Sequence, residues 1–208
     1  VDKKLVVWII GGNSVGKTTL AEFLHLYYSY LAGKESVEIY RGKMADGKDW
    51  VYTSMNSYSA NLGEFGTTQC SGTDTLNTKA RIIESFERAL KTHPVVIIEG
   101  IMATGTWIEF LKREDTLVFI IFLDMNDAGN FKRLRSRRAT KMGVRVDDVE
   151  LSSKTQLNLA GKLKGFRSLY LRMKPHADFS LKVDAELFSA EQIYEKTIRE
   201  MKNFLLKQ

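Results

Sequence analysis

Nine residues near the start of the chain carry the clearest chemistry: Gly11, Gly12, Asn13, Ser14, Val15, Gly16, Lys17, Thr18 and Thr19. Their spacing is G-x-x-x-x-G-K-[ST], the phosphate-binding loop signature. The glycines let the backbone curl so that successive N–H groups face an anion. A helix starting near Lys17 adds its unpaired N–H groups and the positive end of its dipole. Lys17 is placed to reach the β- and γ-phosphates of a nucleoside triphosphate, and the Thr18 hydroxyl to coordinate Mg²⁺. All nine residues are therefore expected to line a triphosphate. The motif leaves the acceptor of any phosphate open, water included.

Other side chains could complete such a site. Glu99 ends the apolar run Val95-Val96-Ile97-Ile98, followed by Gly100. A carboxylate at a strand end beside a phosphate loop can hold Mg²⁺ or its bound water; the competing role is capping neighbouring backbone. Lys132, Arg133, Arg135, Arg137, Arg138 and Lys141 follow one another with no acid among them. Arg133 and Arg137 are four apart and share a helix face. Such a run is either a solvated basic surface or a source of charge for phosphate oxygens. Asp74 is the first choice for a carboxylate that accepts a hydroxyl proton, with Asp46 behind it; a cap or turn role ahead of the next helix competes for Asp74. His25, His93 and His176 are scattered and read as structural or solvated.

The elements that must position these residues follow from periodicity. Leu5 to Ile10 is a strand, and Leu20, Phe23, Leu24, Tyr27, Tyr28 and Leu31 recur at helical spacing after the loop. Val37 to Arg41 and Trp50 to Met55 read as a hairpin around the turn at 44–49. The polar stretch from Asn56 to Thr75 is too long for a plain connector. Helices are predicted over 77–91, 106–112, 128–142, 147–174 (with Gly161 and Gly165 as a possible hinge) and 190–207, and strands over 95–99, 116–123 and 179–183. Strands alternating with helices imply an α/β three-layer sandwich: a mostly parallel five-stranded sheet with helices on both faces. The reading is one domain over 1–208, with residues 37–76 as a hairpin and acceptor insertion and 128–174 as an arginine-rich lid. Ligands then sit at the carboxyl ends of the strands.

Composition narrows the setting. The chain has 208 residues, 44% hydrophobic and 27% charged, with a formal net charge of +6. Between Phe131 and Ala177 stand thirteen Lys/Arg and three acids, so the remainder carries a net −4. A basic segment on a weakly acidic body points to polyanionic partners, a triphosphate or nucleic acid. No apolar run approaches the ~20 residues of a membrane span, so no membrane partner is expected. Cys70 stands alone and the first residues do not read as a signal peptide, so a reducing cytoplasm is the expected compartment.

The order of these parts resembles the P-loop kinase family of nucleoside and nucleotide kinases, over nearly the whole chain: phosphate loop, strand ending Glu99-Gly100, strand ending Leu123-Asp124, then the arginine-rich helix. The resemblance implies ATP with Mg²⁺ held by Thr18 and Glu99, catalytic roles for Lys17, Arg133 and Arg137, and Arg138 on the nucleotide. One departure matters. Nucleoside kinases of this family place a catalytic carboxylate after the second strand, whereas here Tyr40-Arg41-Gly42-Lys43 precede any acid. The segment Gly63-Glu64-Phe65-Gly66 followed by Cys70-Ser71-Gly72-Thr73-Asp74-Thr75-Leu76 is similar to bacteriophage-type kinases that phosphorylate 5-hydroxymethyluracil in DNA. That similarity implies DNA carrying 5-hydroxymethyluracil as acceptor, in a host cytoplasm, with Asp74 as base. Tyr52, Tyr58 and Phe65 could then stack on an extruded base, and the basic stretch from Lys154 to Lys174 could track phosphates. A small-molecule nucleoside or nucleotide kinase, and a P-loop ATPase or switch, stay open as alternatives.

Overall fold

A computed structural model of the chain describes residues 3–33, 37–65, 72–100 and 105–207. In chain order the elements are β1 (Lys4–Gly11), α1 (Lys17–Ala32), β2 (Glu38–Lys43), β3 (Asp49–Ser54), β4 (Ser59–Leu62), α2 (Lys79–Thr92), β5 (Val95–Glu99), α3 (Ile108–Leu111), β6 (Thr116–Asp124), α4 (Asp127–Met142), α5 (Ser153–Met173), β7 (Phe179–Asp184) and α6 (Ala190–Leu205). Short 3-10 turns at Thr73–Thr75 and Val146–Asp148 precede α2 and α5.

The strands form one mixed seven-stranded sheet in the order β2-β3-β4-β5-β1-β6-β7. This corrects the expected five-stranded count. The run from β4 to β7 is parallel throughout, and β2 and β3 add to it antiparallel. The hairpin is thus the edge of the main sheet and not a separate insertion. The strand that sequence reading missed is β4. Its Ser-Ala-Asn-Leu is too polar and short to stand out, yet all four residues are buried. Their polar groups are satisfied inside: the Asn56 side chain donates to Ser59 Oγ at 2.9 Å, and His25 Nδ1 sits 2.9 Å from the same hydroxyl. Burial of polar side chains is tolerated where such partners exist.

Alternation along the buried central strand β1 divides the core into two layers. Leu5, Val7 and Ile9 pack with α1 and α6, on Leu20, Leu24, Ile193 and Met201. Val6, Trp8 and Ile10 pack with α2 and α5, on Ile82, Phe86, Phe166 and Tyr170. Helices therefore cover both faces, as a three-layer arrangement requires. Trp8 is fully buried and stacks on Trp107 at 5.8 Å. The helix expected over 147–174 begins later, at a Ser152 cap whose side chain accepts from Thr155 N, and α5 runs unbroken through Gly161 and Gly165 with no hinge. Among the described residues no helix is long and apolar enough to cross a membrane.

Candidate functional site

The chain crosses from β1 to β4 and β5 on one side, and later to β6 and β7 on the other. The crevice at the carboxyl end of β1 lies at that switch, where open α/β sheets place ligands. Residues Gly11 to Thr19 fill this position. A Cβ on Gly11 would lie 2.8 Å from Val15 Cγ2 and 2.9 Å from the Leu123 carbonyl, and one on Gly12 would collide with Leu163 Cδ2 of α5. The loop is thus folded tightly against its neighbours: a side chain at 11 would press on the Leu123 backbone, and one at 12 would have to displace the Leu163 tip. Gly16, at φ 100°, caps α1 in a left-handed conformation that glycine reaches without strain. Ser14 shares the positive φ, at 60°. Val15 is buried in the core, so it offers the crevice backbone only.

Lys17 is 7% exposed, and its Nζ donates to the carbonyls of Gly11 at 3.0 Å and Gly12 at 2.7 Å. Burial lowers its pKa to about 8; Glu99 and Asp74 pull it upward, and Arg137 and Lys162 push it further down. Side chains from β5, the turn before α2, α4 and α5 therefore converge on one ammonium. The Thr18 hydroxyl donates to Glu99 Oε2 at 3.3 Å.

Asp74 arrives by a set of specific contacts. Thr73 Oγ1 donates to the Glu99 carbonyl at 3.0 Å, and Thr75 Oγ1 to the Gly72 carbonyl at 2.8 Å. Glu64 N donates to Thr75 Oγ1 at 3.0 Å. Arg81 donates to the Leu76 carbonyl at 2.7 Å and to the Asp49 carbonyl, tying the segment to α2 and the hairpin. The approach is so close that a Cβ on Gly72 would strike Glu99, and one on Gly100 would lie 2.9 Å from Asp74 Oδ1. The cap of α2 is Thr78, which accepts from Arg81 N; Asp74 is not that cap. Asp46 instead closes its own turn, accepting from Lys48 N at 3.0 Å and pairing with Lys48 Nζ at 3.2 Å. With strands ~4.8 Å apart, β2 at the edge lies ~19 Å across the sheet from β1.

The arginines separate into distinct places. Arg133 Nη1 donates to the Val15 carbonyl at 3.2 Å and Nη2 to the Ala185 carbonyl, so its fork is spent on backbone behind the loop. Arg137, one turn further, is exposed and close enough to act on Lys17. Arg138 is exposed on another flank of α4, and no hydrogen bond or ion pair among the described residues ties it to the loop. Thr19 is also exposed, at the outer side of α1.

Sequence reasoning did not single out Asn130 or Lys162. Asn130 is fully buried and its Nδ2 donates to the Asn13 carbonyl. A lone Asn in a polar helix gives no sequence signal for this. Lys162 was legible only as one of many lysines in the basic segment. Of that segment, Arg167 is spent on Asp124 at 2.8 Å and on the Met125 carbonyl. Burial alone would raise the Asp124 pKa, but Lys182 and Arg167 outweigh it and hold the carboxyl below its ordinary range.

The aromatic stacking role is corrected for two residues. Tyr52 is buried between Tyr40 at 5.2 Å and Trp50 at 6.0 Å. Phe65 is buried edge-on to His25 at 5.4 Å. Tyr58 is exposed but stacks on Tyr28 at 6.1 Å. It lies in the β3–β4 turn, at the amino ends of the parallel strands, opposite the loop. Cys70, Gly66 and residues 101–104 lie outside the described residues.

Two features bear on ligand fit. Asn13 Oδ1 and Ser14 Oγ are buried with no hydrogen-bond partner among the described residues, in a loop whose curled backbone faces the same crevice. Thr18 Oγ1 and Glu99 Oε2 are 3.3 Å apart, close to the ~3 Å between neighbouring ligands of an octahedral ion with ~2.1 Å bonds. Among the described residues no group of three or more His, Cys, Asp or Glu could hold a metal by itself. That suits an ion held by one hydroxyl, one carboxylate and substrate phosphates better than an all-protein cage. No protein-family model matches the chain, and no curated protein matches it.

Proposed function

We propose that the chain is an ATP- and Mg²⁺-dependent phosphotransferase that moves the γ-phosphate to a hydroxyl. The observation that carries this reading is the convergence of Lys17, Thr18, Glu99 and Asp74 at the carboxyl ends of β1 and β5. A site that only binds a triphosphate does not need Asp74 held against Glu99 by Thr73, Thr75 and Arg81. A phosphotransferase needs a carboxylate there, within reach of an incoming hydroxyl.

Residue roles follow from position. The loop N–H groups and Lys17 hold the phosphate oxygens, and Arg137 adds charge to the phosphoryl as it transfers. Mg²⁺, held by Thr18 and Glu99, would neutralise the β- and γ-oxygens. Asp74 orients the acceptor hydroxyl and takes its proton as the new O–P bond forms and the bond to the leaving diphosphate breaks. The acceptor we propose is the 5-hydroxymethyl group of hydroxymethyluracil in DNA. It is supported by the similarity around Glu64 and Asp74 and by the cationic helical pair α4–α5. Base stacking by Tyr52 or Phe65 no longer supports it.

The experiment offers γ-labelled ATP with DNA containing thymine, 5-hydroxymethyluracil or 5-hydroxymethylcytosine, with the free nucleosides, and with no acceptor. Label in hydroxymethyluracil DNA alone supports the full reading. Label confined to free nucleosides or nucleotides removes DNA and leaves a small-molecule kinase. Phosphate release without any labelled acceptor overturns the phosphotransferase reading in favour of an ATPase or switch.

A further inference from the structure

The carbonyls of the glycine loop are not free to turn. Each trans peptide is planar, so the C=O of one residue and the N–H of the next point in opposite directions. Asn130 Nδ2 takes the Asn13 carbonyl, and Arg133 Nη1 takes the Val15 carbonyl at 3.2 Å. Both partners come from the first two turns of α4, three residues apart, on one helix face. Fixing these two carbonyls toward α4 turns the N–H groups of Ser14 and Gly16 away from it. On the other side, Lys17 Nζ gathers the carbonyls of Gly11 and Gly12. Four of the loop's peptides are thereby set, two by Lys17 and two by α4.

We infer that Asn130 and Arg133 are positioning residues that preset the anion-binding N–H groups of Ser14 and Gly16 and bind the helical pair α4–α5 to the glycine loop as one mechanical unit. Asn130 is suited to this: it is fully buried, its Nδ2 donates to the Asn13 carbonyl, and its Oδ1 has no hydrogen-bond partner among the described residues. Leaving that buried acceptor open costs free energy, which the bond to the Asn13 carbonyl offsets only in part. Arg133 is suited too, because its planar guanidinium fork reaches the Val15 and Ala185 carbonyls from two separate nitrogens held in fixed geometry. Arg133 then touches no phosphate, and the charge on the phosphoryl comes from Arg137. Donors held in place before the ligand arrives avoid reorganisation on binding.

This inference rests on the loop binding the triphosphate, so the test separates the two. Affinities for ATP and for inorganic tripolyphosphate are measured by calorimetry on the full chain for wild type, Asn130→Asp and Arg133→Lys. Amide ¹H–¹⁵N resonances of Ser14 and Gly16 are followed in the same titrations. Asn130→Asp keeps the size and swaps the donor for an acceptor facing the Asn13 carbonyl. The expected result is at least a tenfold loss of affinity for both ligands in each variant, with the Ser14 and Gly16 amide shifts seen in wild type lost. A wild type that binds neither ligand overturns the proposed function and this inference with it. A wild type that binds, with both variants within twofold of it, overturns this inference alone. Should Asn130→Asp not fold, Arg133→Lys decides: unchanged affinity and unchanged Gly16 shift refute the role.

Discussion

On the proposed function, triphosphate affinity should depend on pH through Lys17, with a sign set by its burial. Its ammonium is buried, and burial lowers the pKa from an ordinary 10.5 to about 8 against the upward pull of Glu99 and Asp74. The groups facing it are those two carboxylates and the cations Arg137 and Lys162. A polyanion binds the charged form. Below about pH 8 the free protein already carries that charge, and affinity is flat. Above it, binding must first recover a proton, and Kd rises about tenfold per pH unit. At pH 9 about one molecule in eleven holds the charge, which weakens binding about tenfold, or about 1.4 kcal/mol. The ligand contributes no slope in this range, since the terminal phosphate is ionised with a second pKa of about 6. The assay is calorimetric titration of ATP from pH 7 to 9.5, with wild type and Lys17→Arg. Arginine stays charged throughout, so the variant is expected to give a flat profile, whatever its absolute affinity. A wild-type Kd unchanged up to pH 9.5, or a slope that survives in Lys17→Arg, would show that Lys17 is not the group meeting the phosphates.

Three further outcomes are expected. Glu99→Gln keeps the hydrogen-bonding shape beside Thr18 but loses the charge that would hold Mg²⁺; Mg²⁺-dependent turnover should fall at least a hundredfold while metal-free ATP affinity, read by calorimetry, changes less than threefold. Gly72→Ala introduces a Cβ at φ 62° that strikes Glu99; thermal unfolding should report a loss of about 1–3 kcal/mol, and turnover should fall with it, because the Asp74 turn is displaced. His25 is the acid-labile point: burial, with His93 adding to it, lowers its pKa from 6.5 to about 4 despite the bond to Asn61. Between those values the unfolded chain binds a proton that the folded chain refuses. Stability is therefore expected to be full above about pH 7 and to fall by roughly 2–3 kcal/mol by pH 4.5. Urea unfolding at pH 7 and 4.5 measures it, and an equal loss in His25→Gln would point to another group.

What the sequence made legible was local. A strand, a glycine loop and a helix are contiguous, so Gly11 to Thr19 could be read as a unit and their context checked within thirty residues. Glu99 was legible because a continuous apolar run ending in an acid implies a buried parallel strand with its carboxylate at the ligand end. The sheet's full extent was not legible. The stretch from Ser59 to Leu62 is polar because its side chains face partners from α1 and the β3–β4 turn, and periodicity carries no trace of a partner supplied from elsewhere in the chain.

The same physics explains why spacing alone did not separate the arginines that the fold places differently. Spacing places Arg133 and Arg137 on one face of α4, and spacing alone makes them equivalent. What separates them is depth along the helix. Arg133 lies level with the loop's outer carbonyls and with Ala185, where five donors in a planar fork find backbone acceptors. Arg137 lies one turn, about 5.4 Å, further along the axis, near enough for its charge to act on Lys17. A guanidinium with no hydrogen-bond partner among the described residues is available to a ligand, and one bonded to the Val15 and Ala185 carbonyls is not. The distinction needs the register of α4 against β6 and β7, set by Asn126 capping the helix through Gly129 N at 2.7 Å and by Ala185 N bonding the Asp124 carbonyl at 2.7 Å. Shifting that register by one residue would turn Arg133 by about 100° away from the Val15 carbonyl. The surroundings of two identical side chains are thus decided by where the helix starts, a quantity sequence patterns leave uncertain by a residue or two.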